Sequence, residues 1–377
     1  AMISNIKNAL TVSTGISAAQ IVKTSDSDAA EIIKRVPGIS LIENRFIIVR
    51  GLSQRYNNVS INNGAVPSSE ADGRAFSFDI IPSSNIDNMM IIKSPTAELP
   101  GDFSGGFIKI STKNMPDENS LSLSVGTGIN TVTHFKDFSL LQSSSTEWLG
   151  FDRCARPLSK DFPSHLGSMT DPSQITYYTK TGFNNDWNVK TFRPLPDLKL
   201  NLTWNRKIGD KVGTILTFGY SNANKTIPDM QNTRYGIYSA TADVPTIEKN
   251  YIDNQFTNEV KINAMNNWSF ILDSRNRFEF RNLFSQIGKN RFTERYGTST
   301  VSGEYYENQT EMLYSSRLSY VGQLAGLHTL DEDMTQTLNW TVDYSYANKM
   351  EPDRRIIKNI GGIPADKVIT PDLPSYN

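Results

Sequence analysis

From Leu121 onward the chain is written in period two, and this constrains the fold more than any other feature of the sequence. Leu121, Leu123 and Val125 alternate with Ser122, Ser124 and Gly126, and Leu198, Leu200, Leu202 and Trp204 alternate with Lys199, Asn201 and Thr203. The same pattern recurs around Leu216–Tyr220, Phe256–Ile262, Phe278–Phe280, Leu318–Leu324 and Leu338–Tyr346, which makes about seven strands with one greasy and one polar face. Each is long enough, at about nine to eleven residues, to cross a bilayer as a tilted strand. Connections alternate in length. About sixty-five residues separate the first strand from Leu195, only Ile208–Lys211 follows the second, a long connection runs from Asn222 to about Gln255, and a tight turn lies near Asp273–Asn276. Long loops at one end and short turns at the other are the pattern of outer-membrane barrels. A soluble β-sandwich alternates as well and stays open as the alternative.

On the barrel reading Leu200, Trp204, Leu216, Phe218, Phe280, Leu338 and Trp340 face lipid, while Lys199, Glu259, Arg281, Arg317 and Asp343 face the lumen. The register follows from cost, since Arg or Lys on the lipid face near the midplane is unfavourable by about 2–4 kcal/mol.

Composition removes several classes. The 38 Lys and Arg balance 39 Asp and Glu, and residues 1–117 hold 11 of each sign, so nothing points to nucleic acid as a partner. The single cysteine, Cys154, cannot form a disulfide within the chain, and His134, His165 and His328 lie too far apart for a zinc motif. No apolar run reaches the length of a membrane helix. The start, Ala1-Met2-Ile3-Ser4, lacks a basic stretch followed by an apolar core, so a signal peptide is expected to have been removed or the sequence to begin inside the mature protein.

Residues before Pro116 follow a different pattern. A short helix is expected over Ile16–Val22, and the clearest helix places Ala29, Ile32, Ile33 and Val36 on one face. Asp28 and Glu31 have capping-box spacing at its start, and Pro37-Gly38 ends it. Strands are expected over Ile39–Ile42, Phe46–Val49, Asp87–Ile92 and Phe107–Ser111, with a polar, glycine-rich segment from Leu52 to Phe78.

Within this part stand Arg50-Gly51-Leu52, Tyr56–Gly64, Ile80–Ile86, Met89–Pro95, Gly101-Asp102-Phe103 and Gly105–Thr112, in that order over about sixty residues. Together they resemble the plug domain of TonB-dependent outer-membrane receptors. The resemblance implies a mixed α+β plug domain over 1–116, followed over 117–377 by antiparallel transmembrane β-barrel strands, the N-terminal portion of an incomplete 22-stranded barrel. It implies energy-coupled uptake of a scarce substrate (an iron chelate, vitamin, glycan or peptide) from the cell outer membrane, with a TonB-type inner-membrane energy complex, outer-membrane lipid and a small substrate as partners. A surface lipoprotein is a further candidate partner. Arg50, Gly51, Gly105 and Gly106 match the family's plug core, and the segment from Gln54 to Phe78 matches apical plug segments. From it Arg55, Tyr56, Asn57, Asn58 and Arg74 are expected to contact substrate, with Arg50 or Arg55 also pairing to carboxylates of the barrel wall. Nothing before Ile16 matches the family's energy-coupling box. Two alternatives stand beside transport: a receptor-like barrel serving as a non-transporting subunit of an outer-membrane assembly, and a soluble β-rich binding module.

No enzyme, cofactor or metal motif stands out. Gly126-Thr127-Gly128 is followed by Thr131 and lacks a βαβ setting, so it is expected to lie in a barrel strand. Glu70, Asp72, Asp79 and Asp102 lack calcium-loop spacing, and Cys154 is expected to be an incidental loop thiol. Trp148, Phe151, Tyr177, Tyr178 and Trp187 either form a small core of their own loop or stack on a ring-bearing ligand.

Overall fold

A computed structural model describes residues 12–362, 370–371 and 375–376, apart from 25, 27, 69–74, 98, 142–143, 153–155, 157, 164, 166, 168, 184–185, 242, 302, 332 and 334. Arg74, Cys154, Glu70 and Asp72 therefore lie outside the described residues.

The N-terminal unit opens with strand β1 (Ser13–Ser17), which runs directly into helix α1 (Ala18–Val22). Helix α2 (Ala29–Ile33) follows, and the Asp28 carboxylate caps it by accepting from the Ala30 and Glu31 amides at 3.1 Å each. Ala29, Ala30, Ile32 and Ile33 are all buried, so a short helix is held by packing on its apolar face rather than by its own length. Strands β2 (Ile39–Ile42) and β3 (Phe46–Val49) form a hairpin, and β4 (Asn58–Ile61), β5 (Gly64–Ala65), β6 (Ile86–Ile92) and β7 (Phe107–Thr112) complete the unit. The main sheet has the order β1-β6-β7-β4-β5, with β4 parallel to β7 and the other pairs antiparallel. Residues 13–15 show no strong pattern in the sequence and the helix is expected to begin at Ile16, but pairing to β6 makes Ser13–Ser17 a strand and the helix begins at Ala18.

The second unit is one antiparallel wall. Its strands are β8 (Ser120–Gly128), then, after a long connection carrying the hairpin of β9 (Phe138–Leu141) and β10 (Val189–Phe192), β11 (Asp197–Ile208), β12 (Val212–Ser239), β13 (Val244–Ile271), β14 (Asn276–Ser299), β15 (Tyr305–Thr329) and β16 (Thr337–Gly362). All seven alternating segments are strands of this wall, in sequence order. Five of them are far longer than the bilayer requires, with β12 and β13 reaching 28 residues each. The expected loop from Asn222 to Gln255 is instead a continuation of the β12–β13 ladder, carried past register shifts between Ile227 and Met230 and again at Tyr235. Polar residues such as Asn224, Lys225 and Thr226 read as loop, yet cross-strand bonds to Asn258, Thr257 and Phe256 hold them extended.

The N-terminal unit lies against one face of the wall. On that face are Lys199, Glu259, Arg281, Arg317 and Asp343, while Trp204, Phe218, Phe280 and Leu338 are exposed on the other. The parity expected from the sequence therefore holds along β11 to β16. One core runs across the junction, with Ile215, Met265, Leu283, Ile287 and Val321 of the wall buried among Ile61, Ile81, Met89 and Ile110.

Candidate functional site

Strand register places the contacts between the two units in two rows. Nearer the tight turns, Ile215, Asn267, Arg281, Gln323 and Asp343 lie side by side across β12 to β16. Six residues further from those turns, Ser221, Lys261, Ile287, Arg317 and Lys349 form the second row.

Neutral amides make most of the hydrogen bonds across the lower row, with Arg281 held on Glu279 of the wall and Asn114 donating to Glu279 at 3.0 Å. Asn267 Nδ2 donates to the Lys113 carbonyl at 2.7 Å, and Gln323 Nε2 donates to the Ile61 carbonyl at 2.8 Å. Asn62 Nδ2 donates to Gln323 Oε1 at 3.2 Å, and Thr217 Oγ1 meets Asn85 Oδ1 at 2.6 Å. These amides satisfy backbone that would otherwise be stranded inside an apolar seam.

The upper row is ionic. Arg317 grips Asp79 with both terminal nitrogens, at 2.6 and 3.3 Å, and donates to Ser77 Oγ at 2.5 Å. Each side chain of the pair is 10% exposed. Burial pushes the Asp79 carboxyl up, but the Arg317 guanidinium, Lys261 and the Ser77 hydroxyl outweigh it and hold the group at about 2. Lys261 Nζ approaches the Asp28 carboxylate at 3.6 Å and Glu259 at 3.2 Å. Burial wins at Asp28 and raises its carboxyl above the usual range, with Lys261 offsetting part of the rise.

Just beyond the upper row the β2–β3 turn reaches toward the wall. Glu43 and Asn44 have φ of 54° and 55°, and the Arg45 amide closes the turn on the Ile42 carbonyl at 3.1 Å. A cavity of about 500 Å³ separates this turn from the wall, bounded by Glu43, Arg45, Asp79, Lys289, Arg291 and Arg317. A second, of about 460 Å³, continues along the other side of the turn past Glu31, Lys34, Gln255 and Lys289. Both lie further from the tight turns than the Arg317–Asp79 pair, among donors and acceptors of both charges.

The expected site residues fall in different places. Arg55 and Tyr56 are exposed and engage each other, with Arg55 Nη2 donating to Tyr56 Oη at 2.7 Å. Asn57 is buried and donates to the Ile47 carbonyl at 2.7 Å, and Asn58 donates to Asp102 at 2.7 Å, so both serve the unit's own structure. None of these four lines the two cavities at the β2–β3 turn. The expected pairing of Arg50 or Arg55 with wall carboxylates is replaced by the reverse polarity: a wall arginine holds a carboxylate of the N-terminal unit. Arg50 is instead an exposed turn residue at φ 55°, followed by Gly51 at φ 78°, with the Leu52 amide donating back to the Val49 carbonyl at 3.0 Å. Gly105 is needed for close approach, since a Cβ there would sit 2.3 Å from Asn57 Oδ1. The neighbouring Gly106 is packed against Val49.

Residues 4–107, which span most of this unit, match the family model of the TonB-dependent receptor plug domain. The N-terminal unit is a TonB-dependent receptor plug. The plug leads into the antiparallel strands of the second unit and is seated against one face of that wall. No curated protein sequence matches the chain. Among solved structures, the chain resembles the ferric citrate transporter FecA in its unliganded form (13% identity, TM-score 0.39, covering 100% of this chain and 52% of FecA). It also resembles a mutant of the ferric enterobactin receptor PfeA from Pseudomonas aeruginosa (11%, 0.44, 96% and 56%). A third is BauA, the ferric preacinetobactin receptor from Acinetobacter baumannii (10%, 0.42, 98% and 53%). The chain thus spans about half the length of these receptors.

Sequence reasoning missed the β2–β3 turn and Asp79. The two strands and the charged Glu43-Asn44-Arg45 between them were visible, but nothing local says that this turn points at Lys289 and Arg291, more than two hundred residues away.

Proposed function

We propose that this protein is a TonB-dependent receptor of the cell outer membrane, taking up a scarce substrate by energy-coupled transport into the periplasm. Residues 1–116 act as the plug and 117–377 as the N-terminal portion of the barrel. A TonB-type inner-membrane complex supplies the pull, and a surface lipoprotein is a candidate partner on the outer side. The observation that carries this reading is the seat of the plug. Its upper contacts are ion pairs bordering polar cavities, which water can replace when the plug moves, whereas an entirely apolar seam would resist release.

In this reading substrate meets the β2–β3 turn and the wall cations Lys289 and Arg291 from the side of the long connections. Arg55 and Tyr56 offer exposed side chains from the 54–78 segment, and Arg74 belongs to the same segment. The test is growth of a deletion strain on a panel of iron chelates, vitamins, glycans and peptides as limiting nutrients. A defect on one class, restored by the intact gene and not by an Arg45→Ala/Lys289→Ala/Arg291→Ala form that still reaches the membrane, is the expected result. Normal uptake of every class, together with loss of an outer-membrane complex on deletion, would overturn transport in favour of a structural subunit.

A further inference from the structure

Described residues of the connection between β8 and β11, among them Phe138, Glu147 and Gly150, pack on the outer face of the wall, opposite the plug. Gln286 Nε2 donates to the Gly150 carbonyl at 2.5 Å, and Asn290 Nδ2 donates to Glu147 Oε2 at 3.1 Å. Phe138, fully buried, meets Phe192 and Phe256 edge-on at 5.5 Å, and Phe292 and Met312 complete the cluster. Arg156 pairs with Glu147 at 2.7 Å and lies over the Tyr314 ring. Phe256, Gln286, Asn290, Phe292, Met312 and Tyr314 all have the parity opposite to Lys261 and Arg317, which fixes the face.

Register also fixes the height. Between the tight turn at Val212 and the row containing Leu198, Asn222 and Val260, β12 climbs ten residues. At about 3.3 Å per residue and a tilt near 40°, that is a band of about 25 Å, the height of the apolar belt of an outer-membrane barrel. The outer face within it carries Leu200, Trp204, Leu216, Phe218, Trp268 and Phe280. The packed segment begins where this belt ends.

At that boundary a groove of about 910 Å³ opens between the segment and the wall. Leu140, Leu141, Leu195, Leu198 and Val260 give it apolar sides, and Trp148, Lys190 and Arg193 stand around it. Leu195 is 72% exposed and Trp148 59%, a high cost for a side chain that met only water. Arg193 has Asp137 at 3.1 Å, but both are largely exposed and the pair is weak. Lys190 has no carboxylate within 4 Å among the described residues. Leucine and valine at the floor, tryptophan and two cations at the rim, and direct continuity with the belt through Leu198 and Leu200 are what an interfacial lipid site requires.

We propose that this groove holds an outer-leaflet lipid, with an acyl chain along Leu195, Leu198 and Val260 and an anionic headgroup on Lys190 and Arg193. The segment from 129 to 196 is then a collar seated at the outer membrane interface, which anchors the wall at a fixed height independently of what is transported. The test uses the protein in nanodiscs, with Cys154→Ser removing the only native thiol and Leu195→Cys carrying an environment-sensitive fluorophore. Lipids brominated on the acyl chain should quench that label and leave one at Tyr177→Cys, on the exposed helix of the same segment, unquenched. In native mass spectrometry phosphatidylglycerol should be retained over phosphatidylcholine, and Lys190→Glu/Arg193→Glu should lower that retention about tenfold or more. An unquenched label at Leu195 overturns the lipid site, and quenching without headgroup preference, or preference that survives the double substitution, overturns the assignment of Lys190 and Arg193.

Discussion

The two seams that hold the plug to the wall are built from different chemistry, although they lie only six residues apart along the same strands. The lower seam is mainly apolar with neutral amide bonds, Ile215, Met265, Leu283 and Val321 against the plug core and Asn267 and Gln323 on its backbone, and its charged groups Arg281 and Glu279 pair with each other within the wall. The upper seam is charged and bordered by cavities, with Arg317 on Asp79 and Lys261 on Asp28. An apolar contact loses stability one methylene at a time and does not respond to pH. A buried ion pair is all or nothing, since removing one partner strands the other, and it answers to protons. The comparison makes the lower seam the anchor and the upper seam the latch.

The largest effect is expected at the latch. Arg317→Ala leaves Asp79 buried and unpaired and should cost about 3–5 kcal/mol in denaturant unfolding of the plug, while Arg317→Ala with Asp79→Ala should recover most of it. Equal loss in the single and double variants would show that Arg317 acts through the wall rather than through Asp79. Met265→Ala at the anchor, where the side chain is 1% exposed, should cost about 2–5 kcal/mol with no dependence on pH.

Acid should separate the two seams. Because Asp79 is held at about 2, below the ordinary carboxylate value of about 3.9, its pairing stabilises the seated plug above pH 4 and is lost as pH falls from there through 2. The loss should be about 2 kcal/mol, and Asp79→Asn should abolish that part of the acid response while leaving Met265→Ala additive. Gln323→Ala, which strands the Ile61 carbonyl, should cost about 1–3 kcal/mol at every pH. The smallest effect is at the exposed pair: Arg55→Ala and Tyr56→Ala should each change stability by less than about 0.5 kcal/mol, so that any loss of substrate affinity there reports contact rather than unfolding.

Period-two alternation from Leu121 to Tyr346 determined by itself that the second unit is a wall of strands, and which side chains share a face, because residues i and i+2 must point the same way whatever the strand pairs with. The apolar stripe Ala29, Ile32, Ile33 and Val36 likewise marked the buried face at α2, and the ordered motifs from Arg50 to Thr112 marked the plug. Local chemistry was enough in each case. What only the tertiary structure decided is where partners come from. Arg317 finds Asp79 across 238 residues, Ser13–Ser17 becomes a strand only because Ile92 to Asn88 offer it an edge, and residues 222–239 and 244–255 stay extended only because their cross-strand neighbours do. The seating of Phe138 and Leu141 in one cluster with Phe292 belongs to the same class. Such choices are made by strand register and by the shape of the opposing surface, and neither is written in any local window of the chain.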